Sequence, residues 1–380
     1  MGFYDVCKTY QSLDFKEFEK KITEQHVERV LQKSYLDQED FRVLLSSVAK
    51  KYLEPMAKKA NALTTQQFGK TILLYTPMYL SNYCTNQCLY CGFNTNNTIL
   101  RKQLTLDEVE KEAKAIANMG LKHLLVLTGD AKHKATPAYI GECTKVLAKY
   151  FASVSIEVYA MDEQEYVTLV ECGVDGITIY QETYNEALYD EIHVKGPKKN
   201  YRYRLDAPER ACSAFVRTVN IGALLGLDDW RKEFFLVGLH AQYLQSKYPE
   251  TEVSISLPRL RPHKGQFKPM CIVKDADMVQ MMVAMRLFMP RVGITISTRE
   301  NSAFRNNVVP LGVTKMSAGS TTAVGGHTEC EKSEAQFEIS DNRSVKEMKQ
   351  SIIALGYQPV LKDWEKIDKD NSLDSCLVGK

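Results

Sequence analysis

Three cysteines fall within eight positions: Cys84, Cys88 and Cys91, in the spacing C-x3-C-x2-C. Thiolates are soft ligands that suit zinc or iron–sulfur clusters. A structural zinc site wants four closed ligands, usually as two separated pairs. Here there are three, and no fourth Cys or His stands close by. Three thiolates can hold three irons of a four-iron cluster and leave the fourth iron open to a small molecule. Zinc completed by a distant residue such as Cys330, or a chance grouping of buried cysteines, is the competing reading. The other cysteines are scattered singly, and Cys143, Cys172, Cys212 and Cys271 read as small core residues. The N-terminal stretch is polar and lacks the apolar core of a secretory signal. The thiols are therefore expected to stay reduced, in a cytoplasmic protein.

A reactive loop needs a rigid scaffold. The cysteines follow an apolar run, Thr71–Tyr75, that reads as a strand. Beyond it, strand and helix alternate. Thr105 and Glu108 form a capping box that opens a helix stopping at Gly120. Further strands are expected at Leu124–Leu127, Val154–Tyr159, Gly176–Tyr180, Ile221–Leu225, Glu252–Leu257, Gly293–Ser297 and Thr314–Met316, with helical patterns between them. Such alternation implies parallel strands joined by crossovers. Eight units close into a barrel of ~250 residues. The expected fold is α/β, a TIM-type (β/α)8 barrel over residues 71–330, with helical extensions at 1–70 and 331–380. Lys+Arg number 49 against Asp+Glu 47, so no global basic field favours nucleic acid. No apolar run reaches the ~18 residues that a membrane span requires, so no membrane is expected either.

On this fold, catalytic groups sit at the C-terminal ends of strands. Several strands turn polar there: one ends in Thr128-Gly129-Asp130, one carries Glu157, one ends in Gln181-Glu182, and Ser297 and Arg299 follow another. An Arg facing into a barrel needs an anion, which makes Arg299 the leading cation. Arg305, Ser317 and Ser320 come just after it, Tyr90 lies inside the cysteine motif, and Arg204 sits in a basic stretch. Each has a plainer alternative. Thr128–Asp130 can be a helix-capping turn, Glu157 a paired buried acid, each serine a backbone partner, and Arg305 a surface residue.

The ending C-x3-C-x-aromatic-C is the signature of the radical S-adenosylmethionine superfamily. The segments Tyr75–Cys84, Tyr180–Tyr184, His193–Lys198, Arg204–Arg210, Ser297–Glu300, Leu311–Ser320, Gln336–Ile339 and Gly356–Trp364 narrow the resemblance. Over nearly its whole length the chain resembles the aromatic amino acid lyases, and among them the tyrosine lyases of thiamine biosynthesis, the 2-iminoacetate synthases. The resemblance implies a [4Fe-4S] cluster on Cys84, Cys88 and Cys91, with S-adenosyl-L-methionine on the open iron. It implies a 5′-deoxyadenosyl radical that takes hydrogen from the tyrosine amino group. The Cα–Cβ bond of L-tyrosine then breaks, giving 2-iminoacetate and p-cresol, with 5′-deoxyadenosine and methionine as co-products. Thr128-Gly129-Asp130 occupies the place of the superfamily's glycine-glycine-glutamate segment, with a threonine for the first glycine and a shorter acid. Cofactor contacts are thus expected from Tyr90, Thr128, Gly129, Asp130, Glu157, Gln181 and Arg204. The tyrosine carboxylate is expected on Arg299 or Arg305 with Ser297, Ser317 and Ser320. Implied partners are thiazole synthase and a low-potential electron donor such as flavodoxin or ferredoxin. Related chemistry on tryptophan, or addition of a tyrosine-derived radical to an acceptor, is the alternative. The hydrogenase-maturing tyrosine lyases carry further C-terminal cysteines; beyond residue 330 this chain has only Cys376, so no second cluster is expected.

Overall fold

The computed structural model describes residues 2–11, 14–328 and 335–365; Cys330 and Cys376 lie outside these. Eight parallel strands form the centre: β1 (Thr71–Ser81), β2 (His123–Thr128), β3 (Ser153–Glu157), β4 (Gly176–Glu182), β5 (Thr218–Ala223), β6 (Glu252–Ser256), β7 (Gly293–Ile296) and β8 (Lys315–Ser317). They pair in chain order, and β1 pairs with both β8 and β2, which closes the expected TIM-type barrel. Alternate side chains point to opposite faces of a strand. The outward set is β-branched and aliphatic: Ile72, Val126, Ile156, Ile179, Ile221, Ile255 and Ile294 are each no more than 2% exposed. The inward set is left to line the barrel axis.

Two elements depart from the sequence reading. β1 does not stop at Tyr75 but runs through Pro77 to Ser81. Its pairing with β8 ends at Tyr75–Ser317, so the donor that Pro77 lacks falls where that edge is already unpaired. The C-terminal extension is also not purely helical. After the helix Val345–Ala354 comes β9 (Gln358–Val360), which pairs with Thr71–Leu73 at the foot of β1.

The N-terminal extension is helical, as expected, but the long amphipathic stretch breaks into Gln38–Leu44, a 3-10 turn at Val48–Tyr52, and Leu53–Phe68. These helices pack on the barrel helices Trp230–Lys247 and Asp275–Phe288. Phe41 stacks on Phe288 with ring centroids 4.5 Å apart. Gly238 makes room for it, since a Cβ there would lie 2.3 Å from the Phe41 ring. Burying such a ring contributes roughly 1.5–3 kcal/mol.

Candidate active site

The cysteine loop leaves β1 and crosses the end of β2. There the Gly129 N–H donates to the Ser81 carbonyl at 2.8 Å. A Cβ on Gly129 would sit 2.2 Å from the Tyr83 carbonyl oxygen, so the loop lies directly on glycine backbone. The Asp130 carbonyl accepts from both the N–H and the hydroxyl of Thr85 at 2.9 Å. Its carboxylate accepts from Asn86 Nδ2 at 2.7 Å. Gly129 and Asp130 thus seat the loop. Arg101 ties it further, donating to the carbonyls of Asn82, Phe93 and Asn94.

A second wall comes from far along the chain. A Cβ on Gly92 would lie 2.4 Å from the Gln336 carbonyl oxygen. Gln336 Nε2 donates to Cys91 Sγ at 3.7 Å, and the Tyr79 hydroxyl donates to Gln336 Oε1 at 2.8 Å. A third wall is His193, bridged by backbone to Cys88. Its Nδ1 donates to the Tyr189 carbonyl at 2.7 Å, so its Nε2 accepts from the Tyr90 hydroxyl at 2.7 Å. Burial drops the imidazole pKa to about 2, so the ring is neutral.

Cys88 is buried, and Cys84 and Cys91 are half-buried. Burial pushes the Cys84 thiol up to about 11 and the Cys88 thiol higher still. Thiolates in such surroundings are stable only beside strong positive charge. Among the described residues, no three His, Cys, Asp or Glu side chains gather on one point as the ligands of a single ion would. Three thiols on one short loop fit a cluster, in which each sulfur takes its own iron.

Beside the loop, the barrel mouth holds a chamber lined among others by Tyr75, Tyr79, Glu157, Tyr180, Arg299 and Ser317. Glu157, Tyr180, Arg299 and Phe337 also line an adjoining space that reaches Cys91 and Tyr90. The Arg299 guanidinium lies 3.5 Å from the Phe337 ring centroid, which fixes the plane of its fork. Glu157 has no hydrogen-bond partner among the described residues. Burial raises its pKa to about 7, partly offset by Arg299. At the end of β4 a bulge follows Tyr180, and Glu182 takes a left-handed φ of 71°. That turn sends the Glu182 carboxylate inward. It accepts from Lys198 Nζ at 2.5 Å and lies 3.6 Å from Arg204 Nη2. Arg204 Nε donates to the Tyr180 carbonyl at 2.8 Å.

The structure therefore brings Tyr90, Glu157, Ser297, Arg299 and Ser317 around the chamber and its annex. Asp130 and Arg204 line a neighbouring cleft with Lys198 and Tyr159. Arg305 is not brought there: it is buried, donating to Asp341 and to the Ser317 carbonyl. Gln181 is buried with neither amide atom partnered, and Glu182 faces the annex in its place. The hydroxyls of Thr128 and Ser320 are buried without partners and do not line the chamber. Tyr75, Tyr180, Gln336 and Phe337 were not expected as lining residues. Period-two alternation could have found the tyrosines; Gln336 and Phe337 stand in a segment that carries the family resemblance, but nothing local assigns them to the site.

Comparison with known proteins agrees with this geometry. Residues 78–236 match the family model of the radical SAM superfamily, and residues 256–358 match the biotin and thiamin synthesis associated domain. The chain is 39% identical to 2-iminoacetate synthase of Escherichia coli (strain K12), over 94% of this chain and 96% of that one. It belongs to the 2-iminoacetate synthase family. The corresponding Salmonella typhimurium protein is 38% identical over 89% of this chain and 90% of its own. Among solved structures, the FeFe-hydrogenase maturase HydG from Carboxydothermus hydrogenoformans superposes with a TM-score of 0.88 at 29% identity, covering 96% of this chain and 86% of that one. Methylornithine synthase, at 20% identity and a TM-score of 0.72, over 88% of this chain and 97% of that one, shares the fold. As a member of this family the chain is a radical SAM lyase. No described helix is long and apolar enough to cross a membrane.

Proposed function

We propose that Cys84, Cys88 and Cys91 hold a [4Fe-4S] cluster with one open iron for S-adenosyl-L-methionine. The adjoining chamber then takes L-tyrosine, whose Cα–Cβ bond is cleaved to 2-iminoacetate and p-cresol for the thiazole of thiamine. The supporting observation is the chamber itself: Arg299 and the unpartnered Glu157 face a space that opens onto Cys91. Cys84, Cys88 and Cys91 would hold the cluster, which with S-adenosylmethionine would supply one-electron radical chemistry. The chain's own groups position and shield. Arg299, its fork held flat by Phe337, pairs with the substrate carboxylate, assisted by Ser297 and Ser317. Glu157 accepts from amino or hydroxyl donors. Tyr75, Tyr79 and Tyr180 wall the chamber against water, which keeps a promiscuous radical on its intended hydrogen. Gln336 steadies Cys91. Lys198 and Arg204, neutralised in part by Glu182, face the charged end of the cofactor.

A flavodoxin or ferredoxin supplies the electron, and thiazole synthase takes the product, because a free imine hydrolyses in water. Anaerobic incubation with tyrosine, S-adenosylmethionine and dithionite should give p-cresol, 5′-deoxyadenosine and methionine. Cys84→Ala, Cys88→Ala and Cys91→Ala should each abolish all three. Cleavage of tryptophan with tyrosine untouched would overturn the substrate, and a tyrosine adduct in place of free cresol would overturn the reaction.

A further inference from the structure

Below the substrate chamber the barrel is hollow. TIM-type barrels are normally filled by layers of Val, Ile and Leu. Here the inward residues at mid-height are Ser155, Thr178, Asn220, Ser254 and Thr295, and they leave a cavity of about 150 Å³. Gly176 and Gly293 keep the neighbouring positions bare; a Cβ on Gly176 would lie 2.2 Å from Ser155 Oγ. Into this polar space β8 projects Lys315. Its ammonium makes no hydrogen bond or ion pair with a described residue; it lies 4.9 Å from the Tyr75 ring centroid.

The other charges around the hollow are already matched. Arg217 lies 2.8 Å from Asp175 and 3.7 Å from Glu252. His123 Nε2 lies 2.9 Å from Asp363. Glu252 and Asp363 stand at the lower rim, 60% and 44% exposed, where water screens them. Of the basic residues lining the hollow, Lys315 is thus the one without a hydrogen-bond or ion-pair partner among the described residues. Burial lowers its pKa, and an anion beside it would reverse that cost.

We propose that Lys315 and the hydroxyls around it form a binding site for a small planar carboxylate, two carbons long. The hollow shares Tyr75, Leu125 and Thr295 with the substrate chamber, so the two spaces meet at that layer. The ammonium suits a carboxylate, and the Ser, Thr and Asn side chains suit an adjacent imine or amide nitrogen. The substrate chamber is the next space along the barrel axis, so the occupant comes from there. On the proposed lyase reaction that occupant is the product, 2-iminoacetate, held until it is handed on. This identity rests on the lyase reading; the site itself rests on Lys315 and the hollow.

Oxamate, an inert planar analogue, tests the site by titration calorimetry on the full chain without tyrosine. Saturable binding is expected for the parent, weakened about tenfold or more in Lys315→Met, as loss of a charge-assisted bond requires. Binding should persist in Arg299→Met, which separates the hollow from the chamber. Unchanged binding in Lys315→Met, loss only in Arg299→Met, or no binding to the parent would overturn the proposal. Should Lys315→Met not fold, Lys315→Gln carries the same test. In the reconstituted enzyme, parent and folded variant are compared at equal amounts of p-cresol formed. The share of product lost as glyoxylate when thiazole synthase is present should rise. A failed lyase assay with intact oxamate binding would sink the reaction and spare the site.

Discussion

Gly129→Ala tests how closely the cysteine loop is seated. The new methyl would lie 2.2 Å from the Tyr83 carbonyl oxygen and 2.9 Å from its carbon, both backbone atoms with no rotamer to escape into. Ordinary contact begins near 3.4 Å, so the loop must lift by roughly 1.2 Å. The bonds opposing that movement are Gly129 N–H to Ser81 at 2.8 Å and the two Thr85 bonds to Asp130 at 2.9 Å. Overpacking of this kind costs about 1–3 kcal/mol, which a domain of this size survives. A displacement near 1 Å in a positioned reaction centre costs about a hundredfold in rate. The variant should therefore unfold in urea close to the parent, yet produce 5′-deoxyadenosine about a hundredfold more slowly after anaerobic reconstitution. Full iron and sulfide content together with the parental rate would refute the seating of the cysteines on Gly129.

Other expectations follow from the same contacts. Arg299→Met should raise the KM for tyrosine at least tenfold while S-adenosylmethionine cleavage without substrate continues; equal loss of both would remove Arg299 from the substrate side. Glu157 has an ordinary pKa of 4.5 raised to about 7 in the folded chain. The unfolded chain therefore ionises first, and folding stability falls as pH rises from about 4.5 to about 7, then levels. Glu157→Gln should gain on the parent in unfolding free energy across that window; a constant difference would contradict it. Asp341→Ala leaves the buried Arg305 guanidinium without its carboxylate and should cost about 3–5 kcal/mol by urea unfolding. Arg305→Met combined with Asp341→Leu should recover much of that loss.

The barrel was legible because its signals are local. Strand residues alternate every second position, and capping residues such as Thr105 and Thr136 mark the helix starts they govern. The cysteine loop was equally plain, since all its thiols lie within eight residues. What sequence reading missed depends on where distant backbone ends up. Gln336 and Cys91 are 245 residues apart and meet only when the C-terminal segment folds over the barrel mouth. Gln181 and Glu182 were equally polar on paper, and one bulge with a left-handed residue decided which faces the annex. Arg299 was the leading cation and Arg305 its alternate; Asp341, 36 residues beyond Arg305, takes Arg305 and leaves Arg299. Pro77 belongs in a strand only because β8 is too short to pair with it.

The segment that crosses the mouth is made after the barrel that it covers. Gln336 reaches Cys91, Phe337 stacks on Arg299, and Asp341 locks Arg305. While the ribosome is still translating the barrel, the cysteine loop has its floor but not its cover. Iron loading on a nascent chain would therefore meet an unfinished pocket until the covering segment has been translated.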